Sequence, residues 1–192
     1  MSSMIREFLE AIVLALVVFL FIQTSIQNFR VEGSSMDPTL KDDQYLLVNK
    51  LVYLRLDQER LSRIVPFWRV DRPKESFAVH PPDRGEVVVF HFPRDPSRDF
   101  VKRVIGVPGD TVEIQNGDVF VNGQQLEEPY LESKGFSNMA PVHLDAKEYF
   151  VLGDNRQHSN DSRNWGAVPE ANILGKVWII YWPFSNLKVL GN

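Results

Sequence analysis

Cysteine is absent from the 192 residues of this sequence. Disulfide bonds and thiolate metal ligands are therefore excluded, and no cysteine framework indicates the compartment. The four histidines have no metal-ligand spacing and there is no Gly-x-x-x-x-Gly-Lys phosphate loop, so we expect no metal and no cofactor. The net charge of -4 lacks the basic excess of nucleic-acid-binding proteins, so we expect no nucleic-acid partner.

What is present indicates one globular domain and one apolar segment. A composition of 44% hydrophobic and 24% charged residues is typical of globular proteins, and the length suffices for one domain plus an anchor. Residues 8–26 are apolar except for Glu10, Gln23, Thr24 and Ser25. As a helix they would be about 28 Å long, which matches one hydrocarbon core and predicts a transmembrane anchor. A cleaved signal peptide and a buried helix are the alternatives.

The rest of the chain has the pattern of short β-strands. Runs rich in β-branched and aromatic residues, bounded by Gly, Pro and Asp, occupy residues 44–48, 86–90, 100–105, 149–152 and 176–182. Residues 111–115 and 118–121 alternate around Asn116-Gly117, which predicts a hairpin with a tight turn. The expected fold class is therefore mainly β, a twisted and mostly antiparallel β-sheet domain over residues 27–192.

Residues 51–84 interrupt this pattern. They contain many charged residues and four prolines, which predicts a long loop insertion with one short helix. Within it, residues 64–69 (Ile-Val-Pro-Phe-Trp-Arg) combine aromatic and basic side chains that suit a lipid interface. An ordinary packed insertion explains the same residues equally well.

Two distant motifs supply a candidate nucleophile and a candidate base. Ser35 opens the run Ser-Met-Asp-Pro-Thr-Leu, and a serine hydroxyl needs a neighbouring base to be nucleophilic at neutral pH. Lys102, within Phe-Val-Lys-Arg-Val-Ile-Gly-Val-Pro-Gly-Asp, follows 67 positions later. It can accept a proton only if its pKa falls from about 10.4. A nearby cation or desolvation would lower this pKa. Because side chains alternate along a strand, Arg103 lies on the face opposite Lys102, so desolvation is the expected cause of the lowered pKa. Taken singly, each residue has an ordinary explanation without catalysis: Lys102 as a solvated lysine on a strand, and Ser35 as a residue of a turn.

A third motif, Gly-Asp-Asn-Arg-Gln-His-Ser-Asn-Asp-Ser-Arg-Asn-Trp-Gly, occupies residues 153–166. Together with the apolar segment and the first two motifs, in this order, it resembles type I signal peptidase, the bacterial and organellar leader peptidase. The resemblance extends to Tyr181-Trp182-Pro183 and so covers nearly the whole chain. It implies a signal-peptidase-type catalytic domain and a membrane-bound serine endopeptidase with a Ser-Lys dyad, which removes signal peptides from exported preproteins.

The resemblance implies a role for each motif. Ser35 corresponds to the nucleophile, Lys102 to the general base, and Ser159 to a serine that hydrogen-bonds the lysine amine. Three further residues correspond to supporting positions: Asp154, the first acidic residue of the third motif, and Asp161 and Arg163, a pair that braces it.

The resemblance also implies how substrate and oxyanion bind. The backbone N–H of Ser35 would bind the oxyanion, and Gly33 stands where some relatives carry a serine whose hydroxyl is a second donor. The preprotein would bind as an added β-strand, with small side chains in shallow apolar pockets. The walls of these pockets would be Phe29, Val31, Met36, Leu40, Phe100 and Val101.

Signal peptides emerge on the trans side of a membrane, which sets the expected topology. Residues 1–7 would be a short cytoplasmic tail, and residues 27–192 would lie on the extracytoplasmic or lumenal side of the plasma or thylakoid membrane. The expected partners are the lipid bilayer and signal-peptide-bearing preproteins, and the oligomeric state is left open. Two alternatives are a self-cleaving repressor-type protease, which is soluble and usually carries a DNA-binding domain, and a non-enzymatic, membrane-tethered β module for assembly.

Overall fold

The N-terminal apolar segment forms a helix. The structure is a computed structural model that describes residues 2–53, 55–56, 76–77 and 80–191. Helix α1 (Ser2–Ser25) contains neither glycine nor proline, and its apolar side chains from Met4 to Ile22 are exposed. Within the described ranges, no helix is both long enough and apolar enough to span a membrane. The transmembrane anchor predicted over residues 8–26 therefore stays a prediction.

The body of the protein is built from antiparallel strands. In chain order the strands are β1 (Ile26–Arg30), β2 (Tyr45–Asn49), β3 (Arg55–Leu56), β4 (Ser76–Phe77), β5 (Val87–Phe92), β6 (Asp95–Gly106), β7 (Thr111–Gln115), β8 (Asp118–Val121), β9 (Gln124–Gln125), β10 (Met139–His143), β11 (Glu148–Leu152), β12 (Val168–Pro169), β13 (Ile173–Trp182) and β14 (Lys188–Val189). A short helix, α2 (Ser162–Trp165), precedes β12. The predicted fold class, mainly β and antiparallel, is confirmed.

Two sheets make up most of the domain. The main sheet has the order β1-β2-β13-β5-β6-β11-β12, and β14 also pairs with β13. The smaller sheet has the order β10-β7-β8-β9. Its β7–β8 hairpin turns at Asn116 and Gly117, whose φ angles are 51° and 89°, as the Asn-Gly pair predicts. Every strand pair in the described ranges is antiparallel.

Three clusters of buried apolar side chains hold these sheets together. One packs Val31, Met36 and Leu40 against β2, β5 and β13. A second joins β5, β6 and β11 to Trp165 of α2. The third lies between the smaller sheet and the ends of β6 and β11. Strand β6 contributes to the second and third clusters, so its position is fixed on two sides.

Strands β1 and β6 leave hydrogen-bonding edges open. Among the described residues, β1 pairs only with β2. Residues 99–102 of β6 pair with β5, whereas the pairing of β6 with β11 starts at Arg103. Both open edges border the cleft described below.

The predicted insertion over residues 51–84 is described only at its ends. There, β3 and β4 pair as a two-residue antiparallel ladder. The predicted short helix and the interfacial segment at residues 64–69 lie outside the described residues.

Candidate active site

Ser35 lies in a tight turn that its neighbours anchor in the core. The backbone N–H of Asp37 donates to the Ser34 carbonyl at 3.1 Å, and that of Leu40 donates to the Met36 carbonyl at 2.9 Å. The side chains of Met36 and Leu40 are 1% and 0% exposed, because they pack into the cluster beneath β2 and β13. The turn therefore holds Ser35, which is half-buried, at the surface of a rigid core.

Lys102 reaches Ser35 from strand β6. Its Nζ donates to Ser35 Oγ at 2.7 Å and to the Val101 carbonyl at 2.8 Å. The Nζ also lies 5.5 Å from the centre of the Phe100 ring. The fold thus brings together the two residues that the sequence separates by 67 positions.

Burial makes Lys102 a feasible base. The residue is 4% exposed, and this desolvation lowers its pKa from 10.5 to about 8, while the charges of Asp161 and Asp154 act in the opposite direction. Desolvation disfavours the ammonium form because the apolar surroundings cannot solvate the charge. The cause expected from the sequence, burial among apolar neighbours, is the one found here.

The lowered pKa of Lys102 predicts a pH-dependent cost in stability. Below pH 8 the folded protein holds a desolvated ammonium, which lowers the free energy of unfolding. This destabilisation disappears as pH rises from about 8 to about 10.5, because in that range the unfolded state binds more protons than the folded state. Lys102→Met should therefore raise the free energy of unfolding at pH 7, and the difference from wild type should shrink by about 3 kcal/mol by pH 11. Urea unfolding at several pH values measures it, and a difference that is independent of pH would mean a solvated lysine.

Arg103 points away from Lys102 and links three segments. Its guanidinium donates to Asp154 Oδ1 at 2.9 Å and to Oδ2 at 2.6 Å. It also donates to Thr39 Oγ1 at 3.1 Å and to the Gly85 carbonyl at 2.7 Å. Because Thr39 belongs to the Ser35 turn and Asp154 to the third motif, Arg103 ties both to β6.

Asp161 and Arg163 form an ion pair inside the third motif. Arg163 Nε and Nη2 each donate to an Asp161 oxygen at 2.8 Å. Asp161 also accepts the backbone N–H of Gly153 at 3.0 Å and caps helix α2. A carboxylate that is fully buried needs these partners, and together they fix the conformation of residues 153–163.

Two residues outside the motifs, Glu128 and Tyr130, complete this buried network. Arg156 pairs with Glu128, and their side chains are 2% and 3% exposed. Tyr130 donates its hydroxyl to Glu128 at 2.7 Å, and its ring lies 3.9 Å from the Arg103 guanidinium carbon. The sequence motifs did not indicate Arg103, Glu128 or Tyr130 as site residues. Glu128 and Tyr130 lie in a loop without a recognisable motif, so only the fold places them beside the site.

Gly153 gives Ser159 and Ser35 room to approach one another. A Cβ at Gly153 would collide with Ser159 Oγ and with the Ser35 carbonyl oxygen. The predicted hydrogen bond from Ser159 to the Lys102 amine is not formed: Ser159 Oγ is buried and has no hydrogen-bond partner among the described residues. The donors of Lys102 Nζ are instead directed to Ser35 and Val101.

A cleft of about 530 Å³ opens beside the dyad, between the β1 segment and β6. Its apolar walls include four of the predicted residues, Phe29, Val31, Phe100 and Val101. Leu46 and Val89 also line it and were not predicted. Met36 and Leu40, which pack in the same core cluster as Val31, do not line it. Polar residues border the cleft as well: Arg30, Glu32, Arg98, Asp99, His158 and Asn160.

A second buried polar group lies outside the cleft. Glu86 accepts from Lys176 Nζ at 2.6 Å, from the Asp83 N–H at 2.9 Å and from the Tyr53 hydroxyl. Its carboxylate lies near His80 and Asp83, so the three could be considered as metal ligands. Because Glu86 already accepts three hydrogen bonds, we assign this group to the structure of the sheet.

Comparison with known proteins places this chain in a family. A family model described as signal peptidase, peptidase S26, matches residues 5–182. Signal peptidase I of Leptolyngbya laminosa is 36% identical over 198 residues, which cover 99% of this chain and 86% of the relative. Signal peptidase I P of Bacillus subtilis subsp. natto is 35% identical over 199 residues, which cover 97% of this chain and 94% of the relative. A crystal structure of a signal peptidase I from Enterococcus faecalis is 32% identical, covers 52% of this chain and 99% of that one, and has a TM-score of 0.45.

The class that these matches define is that of peptidases. The chain belongs to the signal peptidase family, peptidase S26, whose members cleave signal peptides. The resemblance stated from the sequence motifs is therefore confirmed.

Proposed function

We propose that this protein is a membrane-bound serine endopeptidase that removes N-terminal signal peptides from exported preproteins, with Ser35 as nucleophile and Lys102 as general base. The observation that carries the proposal is the 2.7 Å contact between Lys102 Nζ and Ser35 Oγ at the edge of the cleft. Nucleophile and base must lie within hydrogen-bond reach for this chemistry, and they do.

The reaction follows from the positions of these groups. With Lys102 neutral, Ser35 donates its proton to Nζ while Oγ attacks the scissile carbonyl carbon. The protonated Nζ then gives the proton to the leaving amine, the peptide bond breaks, and an acyl-enzyme remains. The neutral Lys102 amine then deprotonates a water molecule, which attacks the ester of the acyl-enzyme and releases Ser35. With a pKa of about 8, about a tenth of the lysine is neutral at pH 7.

The cleft suits an extended peptide. The open edges of β1 and of residues 99–102 in β6 both border it, so backbone groups there are available to pair with an added strand. Phe29, Val31 and Val101 give its wall an apolar surface near Ser35. We therefore assign the segment before the cut to this cleft, with small apolar side chains facing the wall.

The supporting residues act through the conformation of the third motif. We assign Asp154 the role of holding Arg103, and Asp161 and Arg163 that of bracing residues 153–163. Ser159 is assigned a packing role against Gly153, in place of a direct bond to the lysine amine.

Cleavage of a precursor with an Ala-x-Ala site by the full-length, detergent-solubilised protein tests the proposal. Wild type should cut after the second alanine, and Ser35→Ala should not. Mass spectrometry of the products identifies the cut. If wild type leaves several such precursors intact, the peptidase proposal fails and the assembly module becomes the better account.

We further propose that residues 8–26 anchor the protein in the plasma or thylakoid membrane, with residues 1–7 cytoplasmic and residues 27–192 on the extracytoplasmic or lumenal side. Two observations support the anchor. Helix α1 has 24 residues, a length of about 36 Å. Its apolar side chains are exposed on all faces of the helix, which is the pattern of a lipid-facing surface. Lipid around α1 would hold the enzyme close to signal peptides in the same membrane.

Charges placed in the middle of α1 test the anchor. In membranes from cells that express the protein, wild type should stay in the pellet after carbonate extraction. The double variant Leu16→Arg/Val17→Arg should be extracted. Each arginine costs about 3 kcal/mol at the centre of a bilayer. The control is Asn28→Arg, an exposed residue of β1 beyond the helix, which should stay in the pellet. Extraction of wild type would contradict the anchor.

A further inference from the structure

Asn155 connects the third motif to the turn that carries Ser35. Its backbone N–H donates to the Ser35 carbonyl oxygen at 3.0 Å, and its side-chain Nδ2 donates to the Ser34 carbonyl oxygen at 3.1 Å. Two successive carbonyls of the turn are therefore held by one residue. The sequence motifs assign no role to Asn155.

His158 contacts the side chain of Asn155. Its Nδ1 lies 3.2 Å from Asn155 Oδ1. With a proton on Nδ1, the imidazole donates to Oδ1, and the amide NH₂ is then left to face Ser34. His158 itself borders the cleft, so the contact pair connects the cleft with the backbone of the nucleophile turn.

The Ser34 carbonyl and the Ser35 N–H belong to the same peptide group. This peptide bond is trans, since the cis bonds of the described chain lie elsewhere, and in a planar trans peptide the C=O and N–H point in opposite directions. The Ser34 oxygen is held by Asn155 Nδ2 and by the Asp37 N–H at 3.1 Å. Fixing the oxygen therefore fixes the direction of the Ser35 N–H.

The Ser35 N–H has no hydrogen-bond partner among the described residues, although the adjoining turn is well bonded. Gly33, two positions earlier, has no side chain to add a second donor, so the direction of this one N–H matters more. A preorganised donor is most effective when it needs no reorientation as charge develops.

We propose that Asn155 is a positioning residue that aims the Ser35 N–H at the oxyanion of the tetrahedral intermediate, with His158 holding the Asn155 amide in the required orientation. This role rests on the proposed peptidase function. Asn155 acts through the Ser34–Ser35 peptide and makes no hydrogen bond to the Lys102 amine in the described part of the chain. Its loss should therefore affect oxyanion stabilisation and leave proton transfer intact.

The test compares kcat and KM of full-length variants on the Ala-x-Ala precursor across a range of pH. Asn155→Ala should lower kcat by about 10- to 100-fold, less than the loss of the donor itself, with KM within about threefold of wild type. The acidic limb of the kcat profile should stay where it is in wild type, because Lys102 keeps its burial. Asn155→Asp keeps the shape and the acceptor for His158 but lacks Nδ2, and should show a similar loss on its pH plateau.

A double-mutant cycle and a matched control make the result specific. His158→Ala should lower kcat less than Asn155→Ala, and the double variant should be no slower than Asn155→Ala, since both act through one contact. Asn138→Ala removes another bond between a side chain and the backbone, in which the Asn116 N–H donates to Asn138 Oδ1 at 2.7 Å beside the smaller sheet. This variant should keep wild-type kcat. If wild type and Asn155→Ala have the same kcat, the positioning role is wrong while the peptidase proposal stands. If wild type itself is inert, both are wrong.

Discussion

Lys102→Arg should lower precursor cleavage by about 10³-fold or more, although it keeps a positive charge at the same position. Arginine stays protonated in proteins and cannot accept the Ser35 proton. The native lysine can do so because burial lowers its pKa to about 8. Steady-state cleavage of the Ala-x-Ala precursor by the solubilised variants measures the loss.

The matched control is the same substitution at a second lysine of the main sheet. Lys176, on β13, has a side chain 18% exposed and bonds to Glu86, outside the cleft. Lys176→Arg keeps that ion pair and should retain wild-type kcat. Activity in Lys102→Arg close to that of Lys176→Arg would show that Lys102 acts only as a charge and that another group is the base.

Gly153→Ala should abolish most activity, by about 100-fold or more. Its added methyl group would overlap Ser159 Oγ and the Ser35 carbonyl oxygen. The Ser35 carbonyl is backbone, so the clash can be relieved only by moving the nucleophile turn or the third motif, and small displacements of reacting groups cost about 10²-fold in rate. We expect a loss of stability of about 1 to 3 kcal/mol as well, measured by urea unfolding beside the cleavage assay.

Gly106→Ala separates the effect on the nucleophile from general overpacking. A Cβ there would lie 2.6 Å from Val112 Cγ2 and 2.8 Å from Leu144 Cδ1, so the new clash is with side chains in the core of the smaller sheet. This variant should lose stability and yet retain kcat when corrected for the folded fraction. Equal kcat values for folded Gly153→Ala and wild type would contradict the crowding at Ser35.

The regular part of the fold follows closely from local patterns. Strands β7 and β8 have the predicted bounds, because alternating burial and an Asn-Gly turn act over a few residues. Strand β6 is longer than predicted, Asp95–Gly106 against 100–105, since it forms a hairpin with β5 through the polar residues 95–99. That extension depends on pairing with another strand, which the alternation of apolar and polar residues within one segment does not reveal.

The candidate site was predictable only in part. The motifs indicated Ser35 and Lys102, and strand alternation correctly separated Lys102 from Arg103, whose partner is Asp154. The contacts of Ser159 and Asn155 could not be derived, because they depend on how the third motif folds back against the nucleophile turn. Similarly, apolar type alone could not distinguish a fully buried core residue such as Met36 from a half-buried cleft residue such as Phe29.

The pH dependence of kcat/KM for precursor cleavage tests the central claim most directly. The claim is that a desolvated Lys102 is the base for Ser35, so activity should rise with pH as the amine loses its proton, with an apparent pKa of about 8. An apparent pKa of about 6.5 for this rise, as for an ordinary histidine, would contradict the claim. So would an apparent pKa of about 10.4, that of a solvated lysine.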